Sequence, residues 1–179
     1  MTRYIYGKFY GTPLDTIKNY MIVLIFLWQV LRYGIKEKLN MQFWWKTINI
    51  LLTFGMLGII SVVTLESRSR NEYDVILIPF NFIKEAKIQP ELYRSMLMNV
   101  FLFFPLGLSL PYALPEKWKQ KALISIFFAM ALSIGIEFLQ YHFHLGRAET
   151  DDVICNTLGC AIGTLSYCMS EYFTRRKRT

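Results

Sequence analysis

The sequence predicts an all-α membrane protein, a small polytopic helical bundle with about five transmembrane helices. Three observations predict it. Hydrophobic residues make up 54% of the chain and charged residues only 18%. Polar residues fall into short clusters between apolar runs, and several runs approach the ~20 helical residues that cross a hydrocarbon layer. The basic residues collect beside those runs: Lys36, Lys38 and Lys46; Lys117, Lys119 and Lys121; and Arg175, Arg176, Lys177 and Arg178. That is the placement of juxtamembrane anchors rather than of one nucleic-acid recognition surface, so the net charge of +7 does not imply a nucleic-acid partner.

The first run, about 20–34, is short for a span. It is followed by Arg32 and a basic segment instead of a small-residue cleavage pattern, so it reads as a span and leaves 1–19 as an extracytoplasmic segment. The second, about 47–65, is preceded by Trp44, Trp45 and Lys46, an aromatic and basic anchor. A polar connection from Glu66 to Arg94 contains an apolar patch, Val75 to Phe80. Six residues cannot span and Pro79 disfavours helix at Ile78, so the patch should lie on the membrane surface or in a protein-lined cavity. The third run, about 96–114, carries Asn99, Pro105 and Gly107. Pro105 removes a helical hydrogen bond and predicts a kink. The fourth, about 122–140, ends in Glu137 and Gln140, and the fifth, about 152–172, carries Gly159, Gly163 and Ser166. The transmembrane domain is thus 20–173 and the basic tail 174–179.

Lys and Arg counts orient the chain. Four basic residues lie from Arg32 to Lys46, three from Pro115 to Lys121 and four after Phe173, whereas Tyr141 to Asp151 holds only Arg147. Five spans place every basic cluster and the C-terminus in the cytoplasm and the N-terminus outside. A count of four, without the first run, leaves the later segments oriented the same way.

With the spans threaded so, Glu66, Asn99, Glu137, Gln140, Asp152 and Asn156 fall at one outer depth. A carboxylate in hydrocarbon is costly, so Glu137 should face protein, water or a ligand. Asp152, Asn156, Gly159 and Gly163 recur at helical spacing as one stripe, polar at the mouth and small below. The Gly159 and Gly163 pair reads as helix packing. Between the fourth and fifth spans, Arg147 offers planar donors for a carboxylate or phosphate. Two readings of it stand: an internal pair with Asp151, Asp152 or Glu137, or a ligand-facing role. His142 and His144 lack a third ligand, and Cys155, Cys160 and Cys168 have no zinc-like pairing with them, so neither a metal nor a cofactor is expected. Ser67, Ser69 and Ser95 have no nearby base to activate a nucleophile.

Several elements resemble the VanZ-like membrane proteins. They are Leu77, Ile78, Pro79 and Phe80; Glu91 to Arg94 leading to Asn99, Pro105 and Gly107; Ile136 to Gln140; and Gly146 and Arg147 through Asp152, Asn156, Gly159 and Gly163. The resemblance covers about 47–167. It implies a bacterial cell-membrane protein related to one associated with low-level resistance to the glycopeptide teicoplanin. It further implies that Asn99, Pro105, Gly107, Glu137, Gln140, Arg147, Asp152, Asn156, Gly159 and Gly163 match the family pattern, with Glu149 and Asp151 in a more variable stretch.

Three functions are compatible with these residues. The leading one is a cell-envelope role in which Asn99, Glu137, Arg147, Asp152 and Asn156 bind a polar head group of a membrane lipid, a lipid-linked cell-wall precursor or a glycopeptide at the outer leaflet. An intramembrane enzyme would use Glu137 as acid or base, Arg147 to hold an anion, and Asp152 as a further catalytic candidate. A structural subunit would use the same residues as an interhelical network.

Overall fold

The computed structural model describes residues 14–35, 39–66, 75–85, 91–115, 120–145 and 147–176. The first thirteen residues of the expected N-terminal segment, the last three of the tail, Lys36, Lys38, Lys117, Lys119 and Gly146 lie outside the described residues. The elements in chain order are α1 (Leu14–Ile35), α2 (Leu39–Glu66), β1 (Val75–Ile76), α3 (Asn81–Glu85), α4 (Glu91–Ala113), α5 (Lys121–His142), β2 (Ala148–Glu149) and α6 (Thr150–Arg176).

Among the described residues, four helical stretches are long and apolar enough to cross a membrane: Gln42–Thr64, Leu92–Ala113, Lys121–His142 and Thr150–Phe173. The apolar part of α1, Ile22–Arg32, is shorter. The anchor residues Trp44, Trp45 and Lys46 do not precede the second helix but belong to it, because α2 begins at Leu39.

Ile60, Phe103, Phe104 and Leu106 form an apolar core, but the outer surface is apolar too and many polar side chains are buried, unlike in a water-soluble bundle. Phe54, Phe127, Phe138, Leu158 and Leu165 point outward, while Asn49, Thr53, Ser109, Ser125, Ser133, Gln140, Asn156 and Thr164 are buried. Outward apolar residues suit hydrocarbon, where nothing is gained by hiding them. Buried hydroxyls are made tolerable by bonding to carbonyls of their own helices: Thr53 to Asn49, Ser125 to Lys121 and Ser109 to Pro105.

The central contact is between α4 and α6, which run parallel; α5 packs on α6, and α2 on α4. Glycine permits this approach. A Cβ at Gly159 would stand 2.1 Å from Val100 O, one at Gly163 2.3 Å from Phe104 O, and one at Gly107 2.1 Å from Cys160 O. Two backbones therefore touch where side chains would hold them apart. The interface also repairs a defect in α4, which contains Pro111 as well as Pro105. Pro111 has no N–H for the carbonyl four residues earlier, and the Thr164 hydroxyl of α6 donates to that Gly107 oxygen at 3.3 Å. A second proline inside the third span is a feature the sequence reading did not weigh.

α1 lies along α6 in the same direction. Gln29 Nε2 donates to Ser166 O and Oγ at 2.7 and 2.8 Å, and further along both helices Arg32 Nη2 stands 3.0 Å from Glu171 Oε1. The start of α1 is consequently at the end of the bundle where α6 begins.

Candidate functional site

The polar cluster is assembled where α5 ends and α4 and α6 begin. Glu137 lies on the inward face of α5, buried together with Ile136 and Gln140. Its Oε2 accepts the backbone N–H of Glu149 at 2.9 Å, which ties the helix to β2. From the first turn of α6, Asp152 accepts from Asn99 Nδ2 of α4 at 2.7 Å. Asp151 and Asp152 both sit in that first turn, where the positive end of the helix favours carboxylates.

Asp151 does more than the sequence reading assigned to it. Its Oδ1 accepts Phe80 N at 2.6 Å and its Oδ2 accepts Phe82 N at 3.0 Å. One carboxylate thus satisfies two amides at the start of α3, the charge-assisted arrangement in which such bonds are strongest. Alongside, β1 pairs in parallel with β2, Val75 opposite Ala148 and Ile76 opposite Glu149. The apolar patch is therefore a strand, turn and short helix clipped over the polar cluster, with Leu77, Ile78 and Phe80 exposed. Phe80 and His144 hold positive φ values of 62° and 54°. Side chains other than glycine adopt these reluctantly, and they persist where surrounding contacts over-determine them.

Arg147 was read either as an internal pair with Asp151, Asp152 or Glu137 or as facing a ligand; its Nε stands 3.5 Å from Glu149 Oε1 on the adjoining strand. Gln140 lies one turn beyond Glu137 toward the end of α5, and Asn156 lies one turn below Asp152 on α6. Gln140 Nε2 donates to Thr64 O of α2 at 2.7 Å, and Asn156 Nδ2 to Ser133 Oγ of α5 at 2.8 Å. Each leaves its carbonyl oxygen buried without a donor, although the residues are only 1% and 3% exposed. The structure therefore gathers Asn99, Glu137, Gln140, Arg147, Asp152 and Asn156 at one end of the bundle. It adds Ser133, which the sequence reading passed over, and gives bonds to Asp151 and Glu149, which that reading had placed in a more variable stretch. Glu66 closes α2, and its side chain lies outside the described residues. Pro105, Gly107, Gly159 and Gly163 are placed below the cluster, in and beside the α4–α6 contact.

His142 is exposed and stacks on Phe138 with ring centroids 6.0 Å apart. Among the described residues no three His, Cys, Asp or Glu side chains are grouped to hold a metal ion. Of the cysteines, Cys155 contacts Met96 Sδ at 3.2 Å and Cys160 lies beside Ser125 O at 3.5 Å, so both serve as small buried side chains between helices.

Comparison with known proteins agrees with this arrangement. The family model VanZ/LLP1 matches residues 20–171. A curated relative, Protein VanZ of Enterococcus faecium, is 32% identical over 87 residues, which is 48% of this chain and 52% of that protein. The chain thus spans about half the length of this curated relative. No solved structure matches. From its polar cluster, its apolar-surfaced helices and the match along most of its length, this chain is a multi-pass membrane protein that belongs to the VanZ/LLP1 family.

Proposed function

We propose that the chain is a cell-envelope protein of the bacterial membrane that binds an amphiphile by its polar head at the extracytoplasmic end of the bundle. The head group is that of a membrane lipid, a lipid-linked wall precursor or a glycopeptide, and tolerance to teicoplanin is one expected phenotype. In this reading the chain crosses five times, with α1 the first span, the N-terminus outside and the tail inside, because that orientation leaves the basic clusters in the cytoplasm. The parallel course of α1 and α6 supports it: Gln29 meets Ser166 and Arg32 meets Glu171.

The observation that carries the proposal is the pair of buried acceptors, Gln140 Oε1 on α5 and Asn156 Oδ1 on α6, that lack donors among the described residues. A buried acceptor without a donor costs free energy comparable to a lost hydrogen bond, and a hydroxyl, amide or ammonium of a ligand would meet that demand. Arg147, partly exposed at the rim, suits an oxyanion of the same head group. Exposed Leu77, Ile78, Phe80, Phe138 and Phe143 beside the cluster are suited to its hydrocarbon.

The test is teicoplanin susceptibility, together with recovery of co-purifying lipids, for Arg147→Gln and Gln140→Leu in cells expressing matched amounts of protein. Loss of tolerance and of the bound amphiphile is expected. Unchanged values of both in stably inserted variants would refute the proposal. A chemically altered lipid appearing with the purified wild type but not with Glu137→Gln would make the site catalytic instead.

A further inference from the structure

The opposite end of the bundle holds a second group of polar side chains, built from residues on four helices. Arg32 and Trp28 come from α1, Trp45 from α2, Tyr112 from α4, and Glu171 with Tyr167 from α6. The guanidinium carbon of Arg32 lies 5.3 Å from the Tyr112 ring centroid and 6.0 Å from that of Trp45. Trp28 and Trp45 are 5.0 Å apart, Trp45 and Tyr112 5.5 Å, and Tyr112 and Tyr167 4.8 Å. Arg32 pairs with Glu171 at 3.0 Å, and its side chain is only 14% exposed.

This group is rich in donors and short of acceptors. The indole N–H groups of Trp28 and Trp45 and the Arg32 Nε are buried without a hydrogen-bond partner among the described residues, while the Tyr112 hydroxyl lies within reach of Ser170 and Arg32. Trp45 and Tyr112 are only 6% and 8% exposed. An indole nitrogen and a guanidinium can only donate, so neither can satisfy the other. Nature usually supplies a buried Trp N–H with an acceptor, and leaving several without one at a single place is costly.

What complements such a set is an acceptor-only group carrying negative charge, with enough oxygens to serve donors from two helices. We propose that this end of the bundle is a phosphate-oxyanion site occupied by the head group of a membrane phospholipid, with Arg32 and the two indoles as donors. The surroundings favour a lipid as the source of the phosphate. Leu31, Phe43 and Trp44 are exposed on the adjoining faces of α1 and α2 and can lie against acyl chains, while Lys46 follows Trp45. The guanidinium carbon lies over two rings that are nearly perpendicular to each other, and Nε is left without a partner among the described residues while a terminal nitrogen is taken by Glu171. The site is separate from the Glu137 cluster and does not depend on what that cluster binds.

The tryptophan side chains themselves report occupancy. Protein carrying ¹⁵N-labelled tryptophan, in phosphate-free maltoside micelles, is titrated with short-chain phosphatidylglycerol, with inorganic phosphate and with an uncharged diacylglycerol of equal chain length. The indole proton resonances of Trp28 and Trp45 should move downfield and saturate with phosphatidylglycerol, while that of Trp44, 61% exposed, stays in place. Trp45→Phe keeps a ring and loses only the donor; it should raise the half-saturating concentration read at Trp28 by about tenfold, and Arg32→Gln by more. If Arg32→Gln does not fold, Trp45→Phe decides. Equal potency of inorganic phosphate would retain an oxyanion site and overturn its assignment to a lipid. Absence of any shift at Trp28 and Trp45, a matching shift at Trp44, or the same response to the uncharged lipid would overturn the site altogether.

Discussion

A Cβ placed on Gly159 would lie 2.1 Å from the carbonyl oxygen of Val100, whereas one on Gly58 would meet nothing within 4 Å. The two glycines look alike in sequence, and their substitution should separate them. Gly159→Ala forces backbone against backbone and is expected to cost roughly 3 kcal/mol, while Gly58→Ala should change stability by no more than about 1 kcal/mol, in the favourable direction. Thermal unfolding in detergent measures both. Asp151 is a second residue whose importance lies in what it touches. With Asp151→Ala, the amides of Phe80 and Phe82 lose both acceptor oxygens, a loss of about 2 kcal/mol that is local to the 75–85 segment. Amide exchange at those two positions should accelerate by tenfold or more while the long helices keep their protection. Unchanged exchange there would mean that the clamp does not form in solution.

At the scale of elements, α6 repairs a defect in α4. Pro111 leaves the Gly107 carbonyl without a helical donor and Thr164 supplies one. Thr164→Val should therefore cost about 1 kcal/mol, and the same change made in Pro111→Ala should cost nearly nothing, because the restored N–H serves the carbonyl. A double-mutant cycle on unfolding free energies reads this coupling directly. Additive costs would show that the hydroxyl and the proline act independently. The helices themselves were legible in the sequence because a span needs a long apolar run, and glycines at 159 and 163 with a third at 107 already suggested close packing. The pairing of β1 with β2 was not legible. Two-residue strands have no period to detect, and their partners are separated in sequence by two long helices.

At the scale of the whole molecule, the ends of the bundle differ in chemistry. One gathers Glu137, Asp151 and Asp152, and the other Arg32 against aromatic rings. A cysteine-free background bearing Leu77→Cys should react with a membrane-impermeant maleimide in intact cells, and Lys121→Cys only after permeabilisation. The reverse pattern would invert the proposed orientation and place the acidic cluster in the cytoplasm. The candidate cluster was legible as a list of residues at a common depth, since threading apolar runs through a layer of fixed thickness sorts polar side chains by height. Its bonding was not. Arg147 Nε stands beside Glu149, a carboxylate that the sequence reading did not offer it, and Asp151 holds the apolar patch. Which of several neighbouring carboxylates an arginine meets is decided by a few ångströms of loop geometry.

The amino-acid sequence by itself determined the solvent of this protein and its long apolar helices, because a segment that crosses hydrocarbon must satisfy its backbone internally and carry apolar side chains over about 20 residues. Only the tertiary structure decided which donors meet which acceptors, that Asp151 clips the patch onto the site, and that Trp28, Arg32, Trp45 and Tyr112 converge at the other end. Hydrogen bonds are short and directional, so their partners are chosen by the packing of helices distant in sequence, which no run of residues encodes locally.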